Sequence, residues 1–400
     1  MKILFVISTL AGGGAERAMS NITTHLPEGV EADILLNSVS ERDYSTEANI
    51  INLGMKPDAK MGLVYQMRAF VRRVKELHKL KKSNNYDACI SFMDSANISN
   101  IVTGKKYCKT IVSVRVSIVS DQSFAYRYIV SPLIKLFYNK ADYVVPLSKG
   151  VEKELVDVFG IKKSKIITIT NGFDINQILK QSVEVIETDI DKFKDKFIYI
   201  TLGRLTKQKA QWHLIRAFAQ NAMKYKDMML LILGQGEEEE YLENLIAEYK
   251  MENRILLIPF CTNPFPYLRY SKVFVVPSLF EGYCNALCEA LICELPCIAT
   301  DYRFGAREIL APDTDVAYCL ESGIEYAQYG VITPVCSGIK HKRNEQLEPA
   351  EECLAQAMLK LYSDKEMYER YKNAAQLRGK QMDINQKVQE WLQLVNDKRE

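Results

Sequence analysis

Two carboxylates eight positions apart, Glu281 and Glu289, flank the predicted start of a helix. A short apolar strand at 273–276 precedes them, and the helix is predicted to open near Cys284 or Asn285. A helix start at the carboxyl end of a buried strand offers unpaired backbone N–H groups and roughly half a positive charge, so it favours phosphate. Carboxylates only accept hydrogen bonds and therefore suit hydroxyl groups. Because eight helical residues span roughly 12 Å, the pattern predicts a binding site for a phosphate group flanked by hydroxyls.

A second candidate is the glycine run Gly12-Gly13-Gly14-Ala15-Glu16-Arg17, which follows the first predicted strand and opens a helix. Glycines there let the backbone approach a ligand, and the helix start favours an anion. The run lacks the Gly-Lys-Ser/Thr of a P-loop, and Arg17 stands where a dinucleotide fingerprint has its third glycine. A plain tight turn between strand and helix is the alternative interpretation.

The elements that would position these residues alternate between short β-branched runs and stretches of helical periodicity, which predicts parallel sheets with crossover helices. We therefore expect an α/β protein of two doubly wound, Rossmann-like domains: 1–175, a linker at 176–195, 196–378, and a final helical segment at 379–400. The strands are predicted at KILFVIS, ADILLN, DACISF, KTIVSV, YVVPLS and KIITIT in the first half, and at FIYITLGR, MMLLILG, RILLIPF, VFVVPS and PCIATD in the second. Ligands of such sheets bind beyond the carboxyl ends of the strands.

Composition and charge narrow the class of protein. The chain has 400 residues, 48% of them hydrophobic and 26% charged, as expected of a globular protein with two or three domains. The first ten residues run into the glycine loop without a cleavage site, and no apolar run approaches the roughly 20 residues that span a bilayer, so we expect a cytoplasmic protein. The net charge of +2 hides a basic first half and an acidic second half. This asymmetry fits an amino half that approaches an anionic surface, whereas the mild balance argues against nucleic acid as a partner.

Four of the ten cysteines form two C-x3-C pairs, Cys284 with Cys288 and Cys293 with Cys297. A zinc site is one interpretation of such pairs. No histidine lies nearby, however, and the positions fall on a predicted helix and strand where small apolar side chains pack. We therefore predict core thiols and no metal site.

A basic helix is predicted from Leu63 to Lys82. Its apolar stripe is expected to face the core and consists of Leu63, Met67, Phe70, Val74 and Leu77. The other face would hold Arg68, Arg72, Arg73, Lys75, Lys79, Lys81 and Lys82. Two interpretations of this basic face stay open, a solvated surface and contact with anionic lipid or a lipid diphosphate.

The segment EGYCNALCEALICELPCIATD at 281–301 resembles the signature of the retaining nucleotide-sugar glycosyltransferases of family 4, E-G-F-x-N-x-L-x-E-A-x-x-x-x-x-P-V-I-A-T-D. Tyr283 replaces the usual Phe. The resemblance extends to TDYRFGAREIL, with Ala306 for the family's Pro, and to LGRLTKQKAQWHLIRAF, with Ala210 for its last Gly. It also covers GGGAER near the start, NKADYVVPLSKGVEKEL and ITNGFD, so the match runs in order along almost the whole chain.

The resemblance implies the GT-B architecture, in which an acceptor-side domain and a nucleotide-sugar domain face each other across a cleft and the last helix returns to the first domain. It implies that Glu281 contacts the transferred sugar and that Arg204 and Lys209 stabilise the diphosphate leaving group, which needs no metal or cofactor. The alternative for Arg204 and Lys209 is a solvated surface pair. Implied donor-binding residues are Glu289, which would hold the ribose, together with Gly282, Asn285, Ala286, Leu287, Gly13 and Gly14.

Two residues at the ends of predicted strands, Asp94 in ISFMDSANI and Arg115 in VSVRVS, are candidates for the acceptor side. A buried hydrogen-bonding role or a surface cap is the alternative for each. Together these features predict a retaining, metal-independent enzyme that moves a sugar, most simply from a UDP-sugar, to a glycan or lipid-linked glycan in cell-surface polysaccharide synthesis. It would work peripherally at the inner face of the plasma membrane. Rival interpretations are a nucleotide-sugar epimerase of the same architecture and a catalytically silent glycan-binding subunit.

Overall fold

A computed structural model describes residues 1–55, 62–117, 126–186 and 195–397. Its contacts divide the chain into two units, Met1–Phe173 with Asp383–Glu400, and Asp174–Met382. Each unit contains one sheet with helices on both faces. The prediction of two doubly wound α/β domains is therefore confirmed.

The first unit is built on a six-stranded, all-parallel sheet in the order β3-β2-β1-β4-β5-β6. Its elements in chain order are β1 (Lys2–Val6), α1 (Gly14–Thr24), β2 (Glu31–Leu36), β3 (Asn49–Asn52), α2 (Leu63–Ser83), β4 (Ala88–Phe92), α3 (Asp94–Val102), β5 (Lys109–Val114), α4 (Ser131–Phe137), β6 (Tyr143–Pro146) and α5 (Lys149–Asp157). Strand order reverses between β1 and β4, so the loops after these strands diverge and open a crevice at the carboxyl edge.

The second unit carries a seven-stranded sheet in the order β12-β13-β11-β10-β7-β8-β9, parallel except for the β12–β13 pair. Its elements are α6 (Ile175–Gln181), β7 (Phe197–Leu202), α7 (Gln211–Ala222), β8 (Met228–Leu233), α8 (Glu239–Tyr249), β9 (Ile255–Ile258), α9 (Phe265–Tyr270), β10 (Val273–Val276), α10 (Asn285–Ile292), β11 (Cys297–Thr300), α11 (Ala306–Leu310), β12 (Glu325–Tyr326), β13 (Val331–Thr333), α12 (Pro349–Ser363) and α13 (Lys365–Lys380). A large apolar core centred on α7 and β8 supports β7 and β10, whose loops carry the candidate site.

The last helix, α14 (Ile384–Asn396), packs against α1 in the first unit. Trp391, Leu392 and Val395 are buried there together with residues of β1 and β4. The backbone of 173 pairs with that of 383, which brings the two ends of the first unit together. None of the described helices is both long and apolar enough to cross a bilayer.

Three local sequence predictions were wrong. The run KIITIT at 165–170 forms no strand; its backbone follows β6 through single hydrogen bonds, such as Ile167 N–H to Val144 O (3.2 Å). The polar strand β3 was missed, because an exposed edge strand lacks the apolar signal of a buried one. The predicted linker begins inside α6, a helix that packs on α9 and α10, and residues 187–194 of that linker lie outside the described part.

The basic helix forms as α2, but its buried face was predicted wrongly. Met67 is 62% exposed, whereas Arg73 and Lys81, which were predicted on the basic face opposite the apolar stripe, are each 1% exposed. Arg73 Nε donates to Asn37 Oδ1 (2.9 Å), and Lys81 Nζ donates to the carbonyl oxygen of Asn100 (2.9 Å). Both cations can be buried because acceptor oxygens in the interior bind their N–H groups. Phe70 and Val74 are half-buried, Leu77 is buried as predicted, and the side chain of Leu63 lies outside the described residues.

Candidate active site

Lys209 and Glu281 form an ion pair at the carboxyl edge of the second sheet. Lys209 lies in the loop after β7 and Glu281 in the loop after β10, two neighbouring strands, and Lys209 Nζ is 2.5 Å from Glu281 Oε1. Their side chains are 17% and 10% exposed. Burial alone would lower the pKa of Lys209, but the adjacent Glu281 carboxylate outweighs it, so the pKa of Lys209 is raised and the ammonium stays charged.

Further donors hold the Glu281 carboxylate in place. Ser278 Oγ donates to Oε1 (3.0 Å), and Gln208 Nε2 donates to Oε2 (3.2 Å) and to the carbonyl oxygen of Phe280 (2.9 Å). The N–H of Leu279 donates in turn to Gln208 O (2.9 Å). These contacts join the loops after β7 and β10, so that the charged pair occupies a fixed position.

The loop after β7 has a backbone suited to this arrangement. Gly203 has φ +148°, and a Cβ there would come within 3.1 Å of Lys209 Cε, so the lysine side chain lies across the glycine. Ala210, which replaces a glycine of the resembled family, adopts the left-handed conformation at φ +48° just before α7. Arg204 is exposed, and its charge lies close enough to Lys209 to lower the pKa of that lysine slightly against the larger effect of Glu281.

Helix α10 begins at Asn285, as predicted, directly beyond the charged pair. The N–H of Leu287 already donates to Cys284 O (3.1 Å), so this predicted phosphate donor is committed to the helix cap. Asn285 and Ala286 are half-buried at the helix start. Glu289 is 4% exposed, one turn further in. Backbone groups at the start of α10 could therefore bind an anion, and the two carboxylates lie on either side of this start.

A third loop, after β11, supports the segment that contains Gly282. The backbone of Phe280 forms a parallel bridge with Arg303, and Gly305 (φ +105°) approaches Tyr283 so closely that a Cβ would lie 3.3 Å from its Cα. Thr300 Oγ1 donates to Ser278 O (2.6 Å). The loop after β10 is thus held from both sides.

The predicted residues of the first unit lie at its carboxyl edge. Gly13 precedes α1, which begins at Gly14, and the Glu16 carboxylate folds back so closely that a Cβ on Gly13 would be 2.0 Å from Oε2. Burial raises the pKa of Glu16, although a hydrogen bond from its own backbone N–H lowers it. The Glu16 carboxylate, to which no sequence pattern assigns a role, therefore covers the start of α1.

Asp94 opens α3 after the strained residue Met93, which has φ +75° and ψ 151°. Tyr138 Oη donates to Asp94 Oδ1 (2.8 Å), and Asn97 Nδ2 donates to Tyr138 Oη (3.1 Å). Strain of this kind persists only where surrounding contacts impose it, and it is common at functional sites. No local sequence pattern indicates the role of Tyr138, because it is 44 residues from Asp94 along the chain.

Arg115 is a buried cation directly after β5, 6% exposed. Its guanidinium carbon lies 4.1 Å from the ring centre of Phe92 and 5.6 Å from that of Trp391, and Nη1 donates to Asn171 Oδ1 (3.0 Å). Burial lowers the pKa of Arg115 to about 9. No carboxylate of the described residues pairs with it.

The described residues contain one cluster of metal-ligating type, His213, Cys336 and Glu348, whose ligand atoms lie within 4.8 Å of one another. Both ring nitrogens of His213 are already engaged: Nδ1 bonds Glu351 Oε1 (2.7 Å), and Nε2 accepts the N–H of Gly338 (3.1 Å). The hydrogen bonds of His213 therefore connect α7 with α12 and with the loop before α12, which is a structural role. Cys284, Cys288 and Cys297 are buried free thiols and Cys293 is a half-buried one.

Comparison with known proteins gives this arrangement a family. The model "Glycosyltransferase Family 4" matches residues 12–177, and "Glycosyl transferases group 1" matches residues 182–328. An uncharacterized glycosyltransferase of Methanocaldococcus jannaschii is 33% identical over 338 residues, which cover 81% of this chain and 83% of that protein. The chain belongs to the glycosyltransferases.

Other relatives of this glycosyltransferase carry more specific names. An N-acetylgalactosamine-N,N'-diacetylbacillosaminyl-diphospho-undecaprenol 4-alpha-N-acetylgalactosaminyltransferase of Campylobacter jejuni is 28% identical over 388 residues, 96% of each chain. Among solved structures, Anabaena HepE in complex with UDP superposes with a TM-score of 0.72 at 19% identity, covering 98% of this chain and 99% of the other. At that identity the likeness shows the fold, which is GT-B.

Proposed function

We propose that the protein transfers a sugar from a UDP-sugar to a hydroxyl of a lipid-linked glycan, with retention of anomeric configuration and without a metal. The observation that carries this proposal is the Lys209–Glu281 pair, held beside the start of α10 at the carboxyl edge of β7 and β10. The Anabaena neighbour contains UDP, and the Campylobacter relative is named for an undecaprenol-diphosphate acceptor, which supports the two substrate classes.

In the second unit, positively charged residues and backbone N–H groups are proposed to bind the diphosphate, and carboxylates are proposed to bind hydroxyl groups. In the transfer, the bond between the anomeric carbon and the β-phosphate oxygen breaks and UDP leaves with the electron pair. The acceptor oxygen bonds to the same carbon, and its proton passes to an oxygen of the departing β-phosphate. Lys209 and Arg204 stabilise the negative charge that grows on the diphosphate, and N–H groups at Asn285 and Ala286 bind its oxygens. Glu281 binds the transferred sugar and Glu289 the ribose hydroxyls.

On the acceptor side, Asp94 is the polar group best placed to bind a hydroxyl. Tyr138 fixes one of its oxygens, and Met93 holds it at the end of β4. Gly13 and Gly14 remain proposed donor-binding residues. The Glu16 carboxylate folds back over Gly13, so binding of a diphosphate to this loop would require that carboxylate to move away or to bind a proton, because two anions repel each other.

Peripheral membrane contact is assigned to the outer face of α2. Its exposed apolar residues follow helical spacing and are 65%, 62% and 49% exposed for Val64, Met67 and Val71. Exposed cations flank them on the same helix: Arg68, Arg72, Lys75 and Lys79. An apolar stripe between cations is the pattern of a helix that lies in the surface of an anionic bilayer, where the lipid-linked acceptor would be found.

A donor panel tests the proposal. The full-length protein is incubated with each of several UDP-sugars and a polyprenyl-diphosphate-linked saccharide in detergent, and UDP release and the anomeric configuration of the product are measured. We expect UDP release that depends on the acceptor, an α-linked product from an α-linked donor, and loss of both in Lys209→Met. Lys207→Met, an exposed lysine of the same loop, is the matched control and should keep activity. An isomerised sugar without transfer would indicate an epimerase. If the protein forms no product and does not bind UDP, the proposed function is contradicted.

A further inference from the structure

Arg115 stands out in the first unit because, among the described residues, this buried cation has neither a counter-charge nor acceptors for all of its donors. It follows β5 at the carboxyl edge of the sheet, the edge where ligands of doubly wound domains bind. Its Nη1 bonds the neutral amide of Asn171, its Nε is buried with no acceptor, and no acceptor for Nη2 occurs among the described residues. The site therefore offers guanidinium donors that the described protein groups do not satisfy.

The contacts of Arg115 with described residues do not offset the cost of burying its charge. A guanidinium between Phe92 and Trp391 gains cation–π attraction, which amounts to about 2 kcal/mol when the cation is desolvated. Burying an unpaired charge generally costs several kcal/mol, so an apolar side chain of similar length would pack there at lower cost. An anion bound to the free donors would remove that cost, because a guanidinium binds two phosphate oxygens at once.

We propose that Arg115, with Asn171 beside it, is the receptor for the diphosphate group of the lipid-linked acceptor. This inference rests on the proposed function and adds a binding site to it. The donor diphosphate already has Lys209, Arg204 and the start of α10 in the second unit. Arg115 belongs to the unit whose helix α2 exposes the apolar and basic face, so a diphosphate bound there is the one attached to a membrane lipid.

The test uses inorganic pyrophosphate as the probe, with UDP at saturating concentration so that the donor site is filled. Calorimetry on the full-length protein should show pyrophosphate binding that weakens at least tenfold in Arg115→Met and is unchanged in Arg42→Met, an exposed arginine of the same unit. UDP affinity should stay the same in both variants. The melting temperature of Arg115→Met without ligand should equal or exceed that of the wild type, since the substitution removes a buried charge that no described residue pairs.

Three results would overturn the inference. Undiminished pyrophosphate binding by Arg115→Met shows that the anion binds elsewhere. Displacement of UDP by pyrophosphate in an Arg115-dependent manner assigns the arginine to the donor. A lower melting temperature with unchanged pyrophosphate binding assigns it to the fold. Failure of the wild type to bind UDP would instead contradict the proposed function, so the two failures are distinguishable.

Kinetics with Arg115→Lys provides a second measurement if the methionine variant does not fold. Lysine keeps the charge but loses the forked geometry, so the KM for a diphosphate-linked lipid acceptor should rise at least fivefold while the KM for the UDP-sugar stays constant. For an acceptor with a single phosphate, the KM values of Arg115→Lys and the wild type should be the same. An equal rise of both KM values would contradict the assignment.

Discussion

Lys209 Nζ lies 2.5 Å from Glu281 Oε1, so two residues with separate expected tasks form one ion pair. The lysine was expected to bind the diphosphate and the glutamate the sugar. Because each neutralises the other, a diphosphate that reaches Lys209 has to share it with Glu281. The pair is therefore expected to control both the stability of the empty site and its affinity for the donor.

A double-mutant cycle tests this coupling. Lys209→Met should lower the free energy of unfolding by about 1–3 kcal/mol, since it leaves a largely buried carboxylate without its cation. Glu281→Gln removes the charge from that carboxylate, so the double variant should recover part of the loss. Denaturant unfolding of the four proteins measures the coupling, and strictly additive effects would show that the pair contributes nothing beyond its separate residues.

The two glutamates should have different kinetic effects. Glu281 would lie beside the bond that breaks, so Glu281→Gln should chiefly lower kcat, by about 10²-fold if the carboxylate supports developing charge. Glu289 is buried one turn inside α10, so Glu289→Ala should chiefly raise the KM for the donor. Steady-state kinetics decides; a normal kcat with only a higher KM in Glu281→Gln would make Glu281 a sugar-binding residue alone.

The sequence predicted the strand–loop–helix units that carry this site, because their apolar runs and glycine-rich loops are local signals. It could not predict Gln208 as a partner of Glu281, because that contact joins loops after two different strands. The contact from Ser278, three residues away in the same loop, depends on the conformation of that loop. Helix α2 shows a different error: its helical periodicity was predicted correctly, but the face that is buried was not. Charge was taken to mean exposure, yet Arg73 and Lys81 are buried because carbonyl and hydroxyl oxygens accept their hydrogen bonds.

Activity is expected to survive chelation. Lys209, Arg204 and backbone N–H groups at the start of α10 supply the positive charge that a divalent cation supplies in metal-dependent transferases. UDP release measured with and without excess EDTA should agree within twofold. Complete loss that manganese restores would contradict this prediction.

Membrane binding should depend on the cations of α2. Replacing Arg68, Arg72 and Lys75 together by glutamine should weaken binding to anionic vesicles about 10²-fold, since each cation near such a surface contributes about 1 kcal/mol. Met67→Glu should also weaken binding, whereas Val39→Glu, an exposed apolar position elsewhere in the unit, should not. Vesicle flotation at low and 1 M salt measures both effects, because the Debye length falls to about 3 Å at 1 M. Equal binding to neutral and anionic vesicles would remove α2 from the model of membrane contact.

Glu16 should make the stability of the protein depend on pH. Its pKa is raised above the ordinary value of 4.5, mainly by burial, so the folded state holds this proton more tightly than the unfolded state does. The wild type should therefore lose stability as the pH rises from about 4.5 through the raised folded value, with the loss complete above it. Glu16→Gln cannot ionise and avoids that loss.

Thermal unfolding from pH 4 to pH 8 compares the two proteins. The advantage of Glu16→Gln over the wild type should be absent at pH 4 and should reach a plateau near neutral pH, while Glu28→Gln, at an exposed position, should show no such trend. Because the substitution also removes an anion from the start of α1, where Gly13 is proposed to bind the donor diphosphate, UDP binding should strengthen in the same variant. A difference that stays constant across the pH range would mean that the Glu16 carboxylate is as well solvated in the folded protein as in the unfolded chain.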